Sequence, residues 1–217
     1  MDTNEFDKAV VAAVFGSAGL VGWRDTSLVG AARDAGLDLV RLRVRFPGKG
    51  AVLLRFGVLA DQAALAAMQP GGTPREALFD LVMARFDALQ AQRSGVLALM
   101  QALRTDPGLA LMLWGATLRS MRWLLEAAGV PTDGMIGTLR VQGMGAVWAY
   151  TLRAWETDES ADMSSTMAAL DRALDRAMQA EGMVPWNRGA SSALDDTTTL
   201  SSSDDGMTGY QDDPAVV

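Results

Sequence analysis

The sequence predicts an all-α fold. Its apolar residues recur at three- and four-residue spacing along most of the chain. The apolar stretches are rich in Ala, Leu and Met, and Gly or Pro cuts them into helix-length pieces. Strand-like alternation is hard to find. With 217 residues, 49% of them apolar, the chain can bury a sizeable core, and a small head followed by a larger helical body fits that length.

In the head, Asp25, Thr26 and Ser27 offer side-chain oxygens to the free amides of a helix through Leu28, Ala31, Ala32 and Ala35, whose apolar residues fall on one face. Gly36 suits the left-handed conformation that ends a helix, Leu37 is expected in the core, and Asp38 caps a second helix. There Val40 and Val44 are expected to supply the inner contacts, with Leu39 and Leu42 beside them. Arg41, Arg43 and Arg45 stand two residues apart, so at about 100° per residue they fan over a wide arc and only part of it can face a groove. Phe46-Pro47-Gly48-Lys49 closes the unit, and Lys49 opens the next helix. Two short helices around a tight turn are the layout of a helix-turn-helix head.

Beyond it, a helix from Lys49 to about Ala67 ends at Gln69-Pro70-Gly71-Gly72. Thr73-Pro74-Arg75-Glu76 then starts another, with a capping box and proline at the first helical position; Leu78, Leu81, Val82, Arg85, Phe86 and Leu89 continue it. Ser94 begins a shorter helix through Val96, Leu97, Met100 and Leu103, and Asp106-Pro107 caps a long one carrying Leu111, Trp114, Leu118, Met121, Trp123 and Leu125. Gly129-Val130-Pro131 stops that helix. The segment Met135 to Trp155 is apolar almost all round, with Gly143, Gly145, Ala146 and Ala149 allowing close approach, so it should be central or at a dimer seam. A last amphipathic helix spans about Asp162 to Ala180, with Met163, Met167, Leu170, Leu174 and Met178 on one stripe. These signals divide the chain into a head (1–57), a helical body (58–186) and an acidic Ser/Thr/Asp-rich tail (187–217) expected to be disordered.

The chain has no cysteine and no histidine, which removes disulfides, thiol chemistry and the commonest general base and metal ligand; no enzyme, metal or cofactor is expected. Neither a basic-plus-apolar leader nor a run of about 18 uncharged apolar residues is apparent, so a cytoplasmic location and no membrane span are expected. The formal charge of −7 is unevenly spread: Leu20 to Gly57 holds seven Arg or Lys against three Asp or Glu, while the tail from Asn187 has six Asp and one Arg. A local positive patch is compatible with phosphate contacts, which act within about 10 Å.

At Thr26-Ser27-Leu28, Ala35-Gly36-Leu37, Phe46 and Lys49, with Ala12, Phe15 and Gly22 before them, the head resembles the TetR family of bacterial repressors in register and without a gap. Arg43 and Arg45 replace the Tyr and His usual in that family, and Ala31 its Ile. The resemblance implies DNA contacts at Thr26, Ser27, Arg41, Arg43, Arg45 and Lys49, a homodimer through the two late helices, and a small-molecule site in the body. Large flexible side chains on the long helices can line such a site for an apolar ligand, and Trp114, Leu118, Met121, Trp123, Met144 and Trp148 are the candidates.

The region from Arg119 through Ala128, Trp155, Asp158-Glu159-Ser160 and Met167 to Arg172 is similar to the C-terminal part of the coenzyme Q accessory proteins, TetR-fold relatives that bind lipids in ubiquinone biosynthesis. Val130 to Met135 stands where those proteins carry a polar run. Two functions follow as expectations. One is a regulator that binds a DNA operator and answers to a small apolar or lipid-like ligand. The other is a non-enzymatic lipid or isoprenoid carrier with a degenerate head.

Overall fold

The computed structural model describes residues 1–69 and 71–182, and among them the only regular elements are nine α-helices. Residues Met1–Ala177 form one compact unit; of a second, Met178–Val217, the described residues are the last turn of the ninth helix. The tail 187–217 lies outside the described residues.

The head begins with α1 (Thr3–Val21). Asp2 accepts the Glu5 amide at 2.7 Å while the Glu5 carboxylate accepts the Asp2 amide at 3.0 Å, a reciprocal cap. Ser27 caps α2 (Leu28–Asp34), Gly36 at φ 66° turns the chain, and Asp38 caps α3 (Leu39–Arg45) by accepting the amides of Val40 and Arg41. Phe6, Val10, Val14 and Phe15 of α1 close over Ala31, Ala32, Leu42 and Phe46 to make the head core.

The expected inner contacts of α3 are corrected here. Leu42 and Phe46 are buried, whereas Val40 and Val44 are 77% and 85% exposed. Positions 40 and 44 lie on one side of a helix and 42 on the other, so only one set can face inward. Leu42 and Phe46 fill that side with larger side chains. Leu37 and Leu39 are half-buried.

The helix α4 (Lys49–Ala67) runs through the expected head–body boundary at 57 and packs against α1, α5 (Pro74–Gln90) and α7 (Pro107–Ala127). Among the described residues it is the one helix long and apolar enough to cross a membrane. Arg55 and Asp61 interrupt it, and both hold ionic partners within the bundle. α5 has the expected cap at Thr73 and Glu76, and its whole stripe from Leu78 to Leu89 is inside. α6 (Arg93–Leu103) starts a residue before the expected Ser94. It crosses α1 so closely that a Cβ at Gly95 would stand 2.8 Å from Phe15 Cα. On α7, Met121, Leu124 and Leu125 are buried, but Leu111 and Trp123 face solvent.

α8 (Gly134–Thr157) buries Val141, Met144, Val147, Trp148 and Trp155, the last donating its indole N–H to Gln90 at 3.0 Å. It also leaves an exposed row of Met135, Leu139, Gly143, Ala146 and Tyr150. α9 (Ser164–Gly182) buries Ala169, Leu170, Ala173 and Leu174, and Asp171 and Asp175 each lie 2.6 Å from Arg75 of α5.

Between α8 and α9 the buried Asp158 accepts the amide and hydroxyl of both Ser160 and Thr166. Burial alone would raise its pKa, but these four hydrogen bonds outweigh it and hold the carboxyl at about 2. The folded value lies below the unfolded value of about 3.9, so this group stabilises the fold above that pH and the contribution is lost as pH falls from about 4 toward 2. Asp158→Ala should therefore lower stability by about 2 kcal/mol at neutral pH, with a smaller difference from the parent near pH 2, both read by urea unfolding.

Candidate functional site

The head holds α3 by a charge clamp that the sequence pattern did not reveal. Asp7 of α1 is fully buried and accepts from Arg45 Nε at 3.0 Å and Nη2 at 2.7 Å. Arg55 Nε of α4 lies 2.6 Å from the same carboxylate, near enough to pair but at an angle that makes no hydrogen bond. The Arg45 hydrogen bond is the largest influence and, with the nearby Arg55 charge, holds the Asp7 pKa below the usual carboxylate value despite burial. One carboxylate thus joins α1, α3 and α4.

The six residues expected at DNA divide by placement. Thr26 is buried and donates its hydroxyl to the Gly22 carbonyl at 2.7 Å, which corrects its expected place on a phosphate-facing surface; the reason is the turn after α1, which its hydroxyl closes. Ser27 is exposed and occupied as the α2 cap, accepting the Gly30 amide at 3.1 Å. Lys49 Nζ donates to the carbonyls of Trp23 at 2.8 Å and Arg24 at 3.0 Å, tying α4 to the turn before α2. Arg41 lies over the Phe6 ring, 4.3 Å from its centroid, and donates to the carbonyls of Met1 and Asp2. Arg45 is held by Asp7. Arg43 is exposed, and among the described residues no such contact engages it. The outward side of α3 therefore presents Arg43 between Val40 and Val44.

The body contains an apolar cavity of about 210 Å³ bounded by α4, α5, α6, α7 and α8. Two of the expected ligand residues, Trp114 and Trp148, line it together with Phe56, Leu99, Leu113 and Leu152. The other four do not. Met121 and Met144 are packed in the core, Leu118 lies against Gly145, and Trp123 is 64% exposed on the far side of α7. Helical phase separates Trp114 from Trp123: nine residues apart at about 100° per residue, they point in nearly opposite directions.

One charged group reaches the cavity wall. Arg85, 5% exposed, donates from Nη1 to Asp61 and stacks on Trp148, whose ring is 4.7 Å from the guanidinium carbon and 4.6 Å from the Phe86 ring. The second oxygen of Asp61 accepts the Ser120 hydroxyl at 2.6 Å. Burial raises the Asp61 pKa against the opposing pull of Arg85 and Ser120, and burial lowers that of Arg85. The sequence placed Arg85 on an otherwise apolar stripe of α5, which is the signal that could have found it.

A helix-turn-helix head joined by a shared helix to a cavity-bearing helical body is the fold of TetR transcriptional regulators. A TetR regulator from Nitrosomonas europaea superposes with TM-score 0.65 at 21% identity, over 80% of this chain and 98% of that one. A TetR regulator from Rhodococcus sp. RHA1 superposes with TM-score 0.53 at 14% identity, over 82% and 97% of the two chains. A further Rhodococcus transcriptional regulator gives 0.52 at 21% identity, over 80% and 96%. No family model matches the sequence. Among curated proteins, the "Non-motile and phage-resistance protein" of Caulobacter vibrioides is 41% identical over 101 residues. That match takes in 45% of this chain and spans only 12% of that protein's length.

Proposed function

We propose that the protein is a TetR-like transcriptional regulator that sets α3 in the major groove of DNA and answers to a small apolar molecule held in the body cavity. The observation that carries this reading is the outward side of α3, where Val40, Arg43 and Val44 stand exposed on a helix clamped from behind by Asp7. Arg suits the paired acceptors of guanine, and valine methyls suit the thymine methyl. Exposed Arg24 and Arg33 add positive charge to the head.

The regulator acts as a cytoplasmic homodimer joined through α8 and α9, so that two heads meet half-sites about 34 Å apart on the duplex. The exposed row Met135, Leu139, Gly143, Ala146 and Tyr150 supports that seam, since small and apolar residues allow two helices to approach closely. Ala146→Arg should move the species seen by sedimentation from twice 23.0 kDa to the monomer mass. A parent that sediments as a monomer would contradict the seam.

Selection of bound duplexes from a randomised pool tests the reading. Two-fold symmetric half-sites about 10 base pairs apart are expected, and Arg43→Ala should relax preference at one position of each half-site and cost about 1–3 kcal/mol. A pool that emerges without enrichment would count against it.

A second reading, a lipid or isoprenoid carrier of the coenzyme Q accessory type, is favoured by the internal engagement of Arg41, Arg45 and Lys49, which leaves Arg43 as the α3 arginine that none of the described residues engages. Native mass spectrometry after expression in lipid-replete cells separates the two: a co-purifying isoprenoid supports the carrier, and an apo species that binds DNA supports the regulator.

A further inference from the structure

The cavity wall carries a guanidinium edge that none of the described residues bonds. Arg85 spends Nη1 on Asp61; its Nε is buried without a hydrogen-bond partner, and none of the described residues bonds Nη2. Nη2 lies beside Gly57 of α4, 4.0 Å from where a Cβ on that residue would stand, and Gly57 itself lines the cavity. A glycine here leaves Nη2 uncovered on that side, and Phe56, Trp114 and Trp148 line the same cavity. Elsewhere the lining is almost wholly apolar. An apolar occupant would bury Nη2 without a partner, which is costly, so one bringing an acceptor oxygen to this point gains more than one that only fills the volume.

The charge at the site selects the kind of oxygen. Asp61 already neutralises Arg85, and its other oxygen is taken by Ser120. A carboxylate ligand would leave an uncompensated negative charge in an apolar enclosure, next to Asp61. An ammonium would face the guanidinium and find no free acidic oxygen. An uncharged carbonyl accepts from Nη2 and changes the net charge by nothing. We infer that the cavity binds a compact, uncharged apolar molecule bearing a carbonyl oxygen, which accepts a hydrogen bond from Arg85 Nη2 while its hydrocarbon part packs between Trp114 and Trp148. This rests on the cavity being the ligand site proposed above, and it names the chemistry that the site selects.

Matched bicycles on a ten-carbon ring skeleton, of roughly 150 Å³, which would fill the cavity near interior packing density, provide the test. Isothermal calorimetry on the full chain at neutral pH, without DNA, compares 1-tetralone, tetralin, 1-naphthoate and 1-aminotetralin, whose alkyl amine is an ammonium under those conditions. 1-Tetralone should bind at least about tenfold more tightly than tetralin, and the two ionisable probes should be weaker than 1-tetralone. Arg85→Lys keeps a cation for Asp61 and removes the guanidinium edge, so it should erase the preference for 1-tetralone while leaving tetralin unchanged. Gly57→Val covers Nη2 without touching the ion pair and should weaken 1-tetralone several-fold; it keeps the test alive should the lysine variant melt early. Equal affinity for 1-tetralone and tetralin, a preference for 1-naphthoate, a preference that survives both variants, or no binding by any probe would overturn the inference. Because no DNA enters the experiment, carbonyl selection without duplex binding would sink the regulator alone, and duplex binding without carbonyl selection would sink this inference alone.

Discussion

Gly95→Ala is expected to destabilise the protein by about 3 kcal/mol or more and to lower its melting temperature by roughly 6–12 °C, read by circular dichroism. Two effects compete at this position. Alanine is the better helix former by about 1 kcal/mol, so on α6 alone the substitution would stabilise. Against that, the added Cβ would stand 2.8 Å from Phe15 Cα and nearer still to its carbonyl oxygen. These are backbone atoms, and no side chain can rotate away to make room. The crossing of α1 and α6 must open instead, drawing Phe15 from its ring contacts with Phe56 and Trp23. Since α6 also supplies Val96, Leu99, Met100 and Leu103 to the cavity, the same variant should loosen ligand binding. An unchanged or raised melting temperature would mean that the two helices do not cross here.

Asp7→Ala is expected to cost about 2 kcal/mol, or roughly 4–8 °C in melting temperature. Arg45 is 44% exposed and regains water when the carboxylate goes, so most of the loss falls on Arg55, whose side chain is 21% exposed. The functional effect should be larger, because α3 loses its tie to α1 and α4 and the rigid presentation of Arg43 with it. Asp7→Asn should fall between alanine and the parent, since it keeps an acceptor for Arg45 and loses the charge. The pH sign follows from the lowered pKa: stabilisation is present above the unfolded value near 3.9 and is lost as pH falls through the folded one. An alanine variant that melts and binds like the parent would show that the clamp holds nothing.

How much of this was legible in the sequence depends on whether a feature is local. Helix starts at Ser27, Asp38, Thr73 and Asp106 follow from short side chains satisfying nearby amides, and the chain spells these out over three or four residues. On α3 the expected inner place of Leu42 holds while that of Val40 and Val44 does not, because the valines and the Leu42–Phe46 pair offer competing apolar faces and only packing chooses between them. Asp7 and Arg45 are 38 positions apart and Asp61 and Ser120 are 59, so neither pairing leaves a local pattern. Arg85 did leave a trace, as a charge inside an apolar stripe. Trp114 and Trp123 looked alike as large apolar residues on one helix, and only their phase relative to α4 and α8 puts the first at the cavity and the second in solvent.

If exposed head cations such as Arg43 meet DNA, binding must depend on salt. Fluorescence anisotropy of a labelled duplex titrated with the full chain, repeated from 50 to 200 mM salt, tests it most directly. Binding at low salt should weaken as salt rises, with a log–log slope corresponding to a few phosphate contacts per head, and an Arg43→Ala variant should bind less tightly. A duplex whose anisotropy does not change at 50 mM salt, up to a protein concentration of about 100 μM, would contradict it.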